Sequence, residues 1–194
     1  MHKYDGDYAI VLLRDLKKEW RDWVGKKIRI SGWIRTSRSS KNFAFIELND
    51  GTTYQNIQVV CTDQLSNYAE VEKLHISSAI EVYGALIETP DAKQDYEIAA
   101  DRVVVVGESS SDYPLQKKRH TMEYLRTIAH LRPRSNTFSA VFRVRSEVSF
   151  AIHQFFHERG FVYTHAPIIT GSDAEGAGEV FRVTTLDPNN LPMK

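Results

Sequence analysis

The sequence predicts an α+β fold in which a small β-barrel precedes a segment built on a long helix. Between residues 26 and 107, short runs rich in β-branched residues alternate in polarity with a period of 2. After residue 133 the apolar residues change to a helical period. Aliphatic and aromatic residues make up 42% of the 194 residues, which is enough for a real core.

An amphipathic helix is predicted at the N-terminus, from Tyr8 to Val24. Gly25 follows and is suited to end it. Basic residues lie between the apolar positions, so the helix has one face for the core and one for solvent. The apolar positions at helical spacing are Ile10, Leu13, Leu16, Trp20 and Trp23.

Five strands and one short helix follow in an informative order. The first strand places Ile28, Ile30, Gly32 and Ile34 on one face, and Gly84 in the fourth predicts a bulge. Three strands, a helix and two strands are the order of an OB-fold barrel. Another small β-barrel or a β-sandwich is the alternative. The strands are expected at 26–35, 42–50, 57–61, 77–89 and 96–107, with the helix at 66–75.

The second segment begins after a polar linker at 107–114. Residues 115–133 are basic and predicted to be helical, and a longer helix is expected from 136 to 159 with Ser135 or Asn136 as its cap. Gly160 is placed to end that helix. Residues 161–169 predict a strand, and Pro167 suggests an edge or an end of it.

Bulk composition excludes several classes of protein. The formal net charge is zero, so only local clusters can indicate a partner. The single cysteine, Cys61, rules out an internal disulfide framework and a multi-cysteine zinc site. We find no apolar run that could span a bilayer and no signal peptide, so we expect a cytoplasmic protein without membrane contact.

The barrel offers a first candidate site on its outward face. Six basic residues and no acidic one lie between Gly25 and Lys41. If the aliphatic set fills the barrel, Phe45 and Gln58 point outward on neighbouring strands. An aromatic ring beside an amide and cations is suited to bind an unstacked base and its phosphates. The alternatives are a solvated basic face, and phenylalanine rings that pack against the N-terminal helix.

A second candidate site is the loop after the last predicted strand, within residues 165–182. Asp173, Glu175 and Glu179 lie there among small and glycine residues. A carboxylate on a hinged loop can close on a cationic group of a substrate. Asp173 and Glu179 could equally be helix-capping or solvated acids.

Several stretches of the sequence resemble a known family. A long helix, a glycine and "GFVYTHAPII" are similar to the first signature motif of class II aminoacyl-tRNA synthetases. An OB-fold before that motif is typical of the aspartyl, asparaginyl and lysyl subgroup. Two strings, "YPLQKKRHTMEYLRTIAHLRPRSN" and "TGSDAEGAGEVFRVTTLDPNNLP", resemble bacterial-type asparaginyl-tRNA synthetases. A non-discriminating aspartyl enzyme is the alternative within the family.

The resemblance implies a domain division and an activity. Residues 1–107 would be an OB-fold anticodon-binding domain with its N-terminal helix, and 108–133 a linker or hinge. Residues 134–194 would begin an antiparallel-sheet class II catalytic domain with the first motif and a mobile loop. The activity would be ligation of asparagine to tRNA(Asn) through an aminoacyl-adenylate, with ATP and Mg²⁺, in a homodimer.

The resemblance also implies roles for individual residues. Phe45 and Gln58 match positions that contact the middle uridine of the anticodon, and Arg38 matches a loop arginine that supports that region. Ser172 and Glu175 match the loop that binds the amino acid, with Glu175 on its α-ammonium. The positions implied at the dimer interface are Arg134, Phe161 and Pro167.

The second and third class II motifs, which bind ATP, are not found among these residues. The strings "FRVR" and "FRVT" lack the glutamate of the second motif. We therefore expect no catalytic residue and no metal ligand in this segment, and no ATP–pyrophosphate exchange from the 194 residues alone. An OB-fold nucleic-acid-binding module without catalysis and a catalytically inactive relative remain alternatives.

Overall fold

The computed structural model describes residues 3–92, 94–171 and 185. The chain forms two compact units, Met1–Ser146 and Glu147–Lys194. The strands are β1 Lys3–Asp5, β2 Tyr8–Ile10, β3 Lys27–Ser39, β4 Phe43–Asn49, β5 Ile57–Thr62, β6 Ala79–Glu88 and β7 Tyr96–Gly107. The helices are α1 Leu13–Trp23, α2 Tyr68–Val71, α3 Met122–Thr127 and α4 Asn136–His157, with a 3₁₀ turn at Arg132–Arg134.

Strands β3 to β7 close into a barrel. β3 pairs antiparallel with β4 and also with β6, and β4 pairs antiparallel with β5. β7 pairs antiparallel with β6 and parallel with β5, which completes the ring. Three strands, the short helix α2 and two strands occur in the predicted order. The predicted OB-fold is therefore confirmed.

The barrel interior is filled by the aliphatic residues that alternate along each strand. Their side chains are almost completely buried, whereas the intervening residues are half-buried or exposed. Burial of this kind removes apolar surface from water, which is the main force that stabilises a barrel. The predicted inward set is thus confirmed on three strands: Ile28, Ile30, Ile34, Ala44, Ile46, Leu48, Ile57, Val59 and Cys61.

Gly84 lies at a bulge, as predicted. The pairing of β6 with β7 shifts between Tyr83 and Gly84. A Cβ atom on Gly84 would lie 2.1 Å from the carbonyl oxygen of Ala99. Only a residue without a side chain lets the two backbones approach this closely.

The N-terminal prediction is correct for the helix but wrong about where it starts. Residues 8–10 form strand β2, which pairs parallel with β3 through Ala9 and Ile28, and α1 begins only at Leu13. The free edge of β3 offers these residues backbone hydrogen bonds that their apolar spacing does not reveal. The backbone N–H of Leu13 donates to Asp50 Oδ2 at 2.8 Å, which satisfies a free donor of the first helical turn.

The long helix of the second segment matches its prediction closely. Phe138 N–H donates to Ser135 Oγ at 3.4 Å, so Ser135 supplies the cap of α4. Gly160 follows with a φ of +83°, in the left-handed region that favours glycine. Helix α3 is shorter than the predicted basic helix, because residues 115–121 form bends and irregular backbone.

The strand predicted at 161–169 is wrong for this structure. Residues 161–171 adopt neither strand nor helix. A strand requires hydrogen bonds to a neighbour, and none of the described strands pairs with this segment. The apolar pattern is therefore present without the pairing that would make it a strand.

Within the described ranges, no helix combines the length and the apolar character needed to cross a bilayer.

Candidate nucleic-acid interface

Strand pairing places the predicted site residues in two rows on the outside of the barrel. Arg38 on β3 pairs with Phe45 on β4, and Phe45 pairs with Val60 on β5. In the next row Glu47 pairs with Gln58. On β4 and β5 these side chains point away from the barrel, because their neighbours along each strand fill the interior, and Arg38 on β3 is itself exposed. We call the surface formed by Arg38, Phe45, Glu47, Gln58 and Val60 the outer face.

The ring of Phe45 is available on the outer face. It lies nearly parallel to the ring of Phe43, at 22° and with 6.5 Å between centroids. The guanidinium carbon of Arg38 lies 5.8 Å from the Phe45 centroid. The ring contacts are thus with neighbours on β3 and β4, as the outward register predicts, and they leave an apolar surface beside a cation.

The side-chain amide of Gln58 is held in one orientation. Its Nε2 donates to Glu97 Oε2 at 2.7 Å. The Gln58 backbone N–H donates to Gln94 Oε1 at 3.2 Å, so the β7 side of the barrel fixes this residue twice. Among the described residues, no donor contacts the carbonyl oxygen Oε1. The amide therefore presents one free acceptor and one free N–H.

A chain of amides borders the outer face at the end of β4. Asn56 Nδ2 donates to Glu47 Oε2 at 3.1 Å. Asn49 Nδ2 donates in turn to Asn56 Oδ1 at 3.0 Å and to the carbonyl of Gln55 at 3.0 Å. These bonds fix the loop between β4 and β5 beside the outer face.

The basic residues of Gly25–Lys41 do not form one patch. Arg29 pairs with Glu81 and with Asp5, on another side of the barrel. Arg38 and Lys41 remain exposed on the β3–β4 side, and within the described residues neither makes an ion pair. Of the six basic residues predicted near Phe45, Arg38 is the one that lies over its ring among the described residues.

Arg35 connects the barrel to the start of the second segment within the first unit. Its Nη1 donates to the carbonyl of Arg134 at 2.6 Å, and its Nη2 donates to Asn136 Oδ1 at 3.0 Å. Burial is the main cause that lowers the pKa of the Arg35 guanidinium, and the nearby charge of Arg134 lowers it as well. Arg35 stays protonated because an arginine pKa begins so high. The Arg35 guanidinium therefore holds the start of the second segment against the barrel through hydrogen bonds, and it is not a candidate ligand-binding group.

Arg134, predicted at the dimer interface, makes contacts within its own chain. Its Nη1 donates to Ser77 Oγ and, at 3.3 Å, to Tyr113 Oη. Its guanidinium also lies over the Trp33 ring, 5.0 Å from the centroid. Its role in a dimer stays a prediction.

A groove of about 1110 Å³ runs between the barrel and residues 113–143, all within the first unit. Trp33, Glu47 and Asn56 line its barrel side. The basic run Lys117–Arg119 lines the other side and is exposed. The groove therefore adjoins the outer face at Glu47 and has exposed cations along one edge.

The remaining predicted residues belong to the second unit. Phe161 is 61% exposed and its ring packs edge-on against Phe156, with centroids 5.3 Å apart. Pro167 is exposed. Ser172 and Glu175 lie outside the described residues. In the described ranges no three histidine, cysteine, aspartate or glutamate side chains come close enough to hold a metal ion.

Comparison with known proteins agrees with this geometry. Residues 28–106 match the family described as OB-fold nucleic acid binding domain, and residues 117–191 match tRNA synthetases class II (D, K and N). The chain thus combines a barrel that matches the OB-fold nucleic acid binding family with a segment that matches the class II synthetases.

Curated relatives indicate which member of the class II synthetases the chain resembles. The chain is 67% identical over 180 residues to the asparagine–tRNA ligase of Alkaliphilus oremlandii, covering 93% of this chain and 39% of that protein. It is 65% identical over 178 residues to that of Clostridium botulinum, covering 92% and 38%. By sequence the chain is therefore similar to the class II aminoacyl-tRNA synthetases, and within that class to the asparagine–tRNA ligases. It spans about two fifths of the length of these curated relatives.

Solved structures share the fold. Asparaginyl-tRNA synthetase from Pyrococcus horikoshii, complexed with asparaginyl-adenylate, superimposes with a TM-score of 0.78 at 22% identity, over 90% of this chain and 40% of that one. The Entamoeba histolytica enzyme gives a TM-score of 0.65 at 24% identity, over 76% and 36%. These structures show that the fold is shared, and the curated relatives confirm the resemblance found in the sequence.

Sequence reasoning missed Glu97 and the amide chain at Asn49 and Asn56. Glu97 follows Gln58 by 39 positions, so no local pattern connects the two. Their contact depends on the parallel pairing of β5 with β7. The OB-fold order suggests that pairing, but the register is set only by the closed barrel.

Proposed function

We propose that this chain is part of an asparagine–tRNA ligase and that its barrel binds the anticodon of tRNA(Asn). The complete enzyme would use ATP to activate asparagine and would transfer it to the tRNA, in the cytoplasm. The observation that carries the proposal is the outer face, where Phe45 and Gln58 point outward beside Arg38. The similarity to asparagine–tRNA ligases supports the choice of amino acid.

Phe45 supplies the stacking surface in this proposal. A base that leaves the anticodon stack loses its neighbours, and an aromatic ring replaces one of them at a gain of about 1–3 kcal/mol. Arg38, beside the ring, would neutralise a phosphate of the bound nucleotide. The stacking term does not depend on the base, so it gives affinity and little selectivity.

Gln58 supplies selectivity in this proposal. Its free carbonyl oxygen can accept the N3–H of a uracil, and its remaining N–H can donate to a carbonyl oxygen of the same base. Such an amide pair fits the middle uridine of the asparagine anticodon. The exposed run Lys117–Arg119 along the groove would contact the RNA backbone.

For the amino acid, we propose that Glu175 binds the α-ammonium of asparagine and that Ser172 lies beside it. An ammonium that enters a closed pocket loses its water, and a carboxylate offsets that cost through charge-assisted hydrogen bonds. The asparaginyl-adenylate bound to the Pyrococcus horikoshii enzyme supports the use of ATP. Among the described residues, no cluster of histidine, cysteine, aspartate or glutamate side chains could hold Mg²⁺.

We also propose that the enzyme is a homodimer that uses α4 and the segment after it. Several large apolar side chains there are more than half exposed, which is unusual for a helix that faces water. Phe161 and Pro167 lie in the same region. The exposed set on α4 includes Val144, Val148, Phe150 and Ile152.

The anticodon proposal is tested by Phe45→Ala in an RNA-binding titration. Loss of one stacking surface of about 1–3 kcal/mol should raise the Kd for a tRNA(Asn) transcript by about 5- to 150-fold. Fluorescence anisotropy of labelled transcript measures it, at fixed salt because phosphate contacts depend on salt.

Two controls accompany this titration. With Phe45→Ala, an unrelated tRNA should lose far less affinity than tRNA(Asn). Phe43 lies on β4 like Phe45 but farther from Gln58, so Phe43→Ala should raise the Kd for tRNA(Asn) less than Phe45→Ala does. Equal losses on both RNAs would instead support a barrel that binds nucleic acid without reading the anticodon.

A further inference from the structure

Glu97 is the residue that the structure adds to the outer face. It lies on β7, is half-buried, and accepts the Gln58 Nε2–H at 2.7 Å. The Gln58 backbone is held from the same side by Gln94. The amide of Gln58 is therefore fixed by contacts that come from outside its own strand pair.

A carboxylate imposes a direction on an amide. An ionised carboxylate has acceptors only, whereas an amide has a donor end and an acceptor end. Contact with Glu97 is favourable only when the nitrogen of Gln58 faces it, so the oxygen must occupy the other position. A half-turn about the last side-chain bond would place two oxygens against each other and lose the charge-assisted bond.

This direction matters because uracil and cytosine differ mainly in donor and acceptor order. Uracil presents N3–H as donor and O4 as acceptor, and cytosine presents N3 as acceptor and its 4-amino group as donor. An amide that is free to turn can pair with either base. An amide held in one direction can pair well with only one of them.

We infer that Glu97 is a positioning residue that makes Gln58 selective for uridine over cytidine at the middle of the anticodon. The inference rests on the proposed function of the outer face. Glu97 itself acts through the amide of Gln58 and touches no base in this scheme.

Glu97→Gln tests the inference with little change in shape. The new side chain can still bond to Gln58, but it can donate as well as accept, so it no longer imposes a direction. The probe is an anticodon stem–loop with the asparagine anticodon, compared with the same RNA that carries cytidine in place of the middle uridine. We expect the preference for uridine to fall by about tenfold in anisotropy titrations.

Glu88→Gln is the matched control. Glu88 is exposed on β6 and pairs with Tyr96, the residue before Glu97. Both substitutions remove one negative charge and so raise general affinity for RNA alike. Only Glu97→Gln should change the ratio of the two dissociation constants.

The outcomes separate the inference from the proposed function. If Glu97→Gln leaves the uridine preference equal to that of Glu88→Gln, while Phe45→Ala still weakens binding, the inference is overturned and the anticodon proposal stands. If Phe45→Ala also has no effect, the outer face is not the RNA site and both fail. Unfolding midpoints of the variants, measured in the same buffer, show whether a change in ratio comes from a damaged barrel.

Discussion

Gly84→Ala is the substitution that the barrel should tolerate least. The added Cβ would lie 2.1 Å from the Ala99 carbonyl oxygen, 2.9 Å from its carbon and 3.0 Å from the Ala100 Cα. All three are backbone atoms, so no side chain can rotate away. β6 and β7 would have to separate by more than 1 Å at the bulge, because ordinary contact with a Cβ atom begins at 3.4 Å.

The cost of that separation can be approximated from overpacking. Extra methyl groups in packed cores cost about 1–3 kcal/mol when side chains can adjust, and more when they cannot. We therefore expect a loss of about 3 kcal/mol. With a urea slope of about 2 kcal/mol per molar, the midpoint of unfolding should fall by about 1.5 M.

Tryptophan fluorescence is a suitable assay, because all three tryptophans of the chain, Trp20, Trp23 and Trp33, lie in the first unit. Gly107→Ala is the control on the same strand as Ala99. A Cβ at Gly107 would meet no atom within 4 Å, so its midpoint should stay within about 0.3 M of the original.

The substitution should also affect RNA binding. Ala99 lies two positions beyond Glu97 on β7, so a displaced strand would move Glu97 away from Gln58. Identical unfolding midpoints for Gly84→Ala and Gly107→Ala would refute this prediction. They would show that the close approach of the β6 and β7 backbones does not affect the free energy of unfolding.

Two further predictions concern Cys61 and Phe150. Burial raises the pKa of the fully buried Cys61 thiol to about 12, so a disulfide reagent at pH 8 should label it only after urea is added. An unfolded thiol ionises near pH 8.5. The unfolded chain therefore loses this proton first, and the free energy of unfolding should fall as pH rises from about 8.5 towards 12. Rapid labelling of the native protein would contradict the buried position of Cys61. Phe150 is 68% exposed. Phe150→Asp would place a charge in the proposed apolar interface and should shift the dimer towards monomer in sedimentation equilibrium. A wild-type chain that is monomeric at about 50 μM would contradict the proposed dimer.

Sequence periodicity was sufficient to predict which side chains of β3 are buried, but not the secondary structure of residues 8–10 and 161–169. Ile28, Ile30 and Ile34 alternate with polar residues, and the structure buries them as this pattern predicts. Residues 8–10 fit a helical period just as well, yet they form a strand because the edge of β3 is next to them. Residues 161–169 show the reverse case, with a strand-like pattern and no partner among the described strands.

Alternation along single strands and short local strings were enough to predict the barrel, the outward direction of Phe45 and Gln58, and the family. The residues that restrain the site became visible only in the folded chain. Gln58 meets Glu97 because β5 and β7 run side by side in the closed barrel. Pairing between distant strands depends on register and closure, and neither is encoded in the period of one strand.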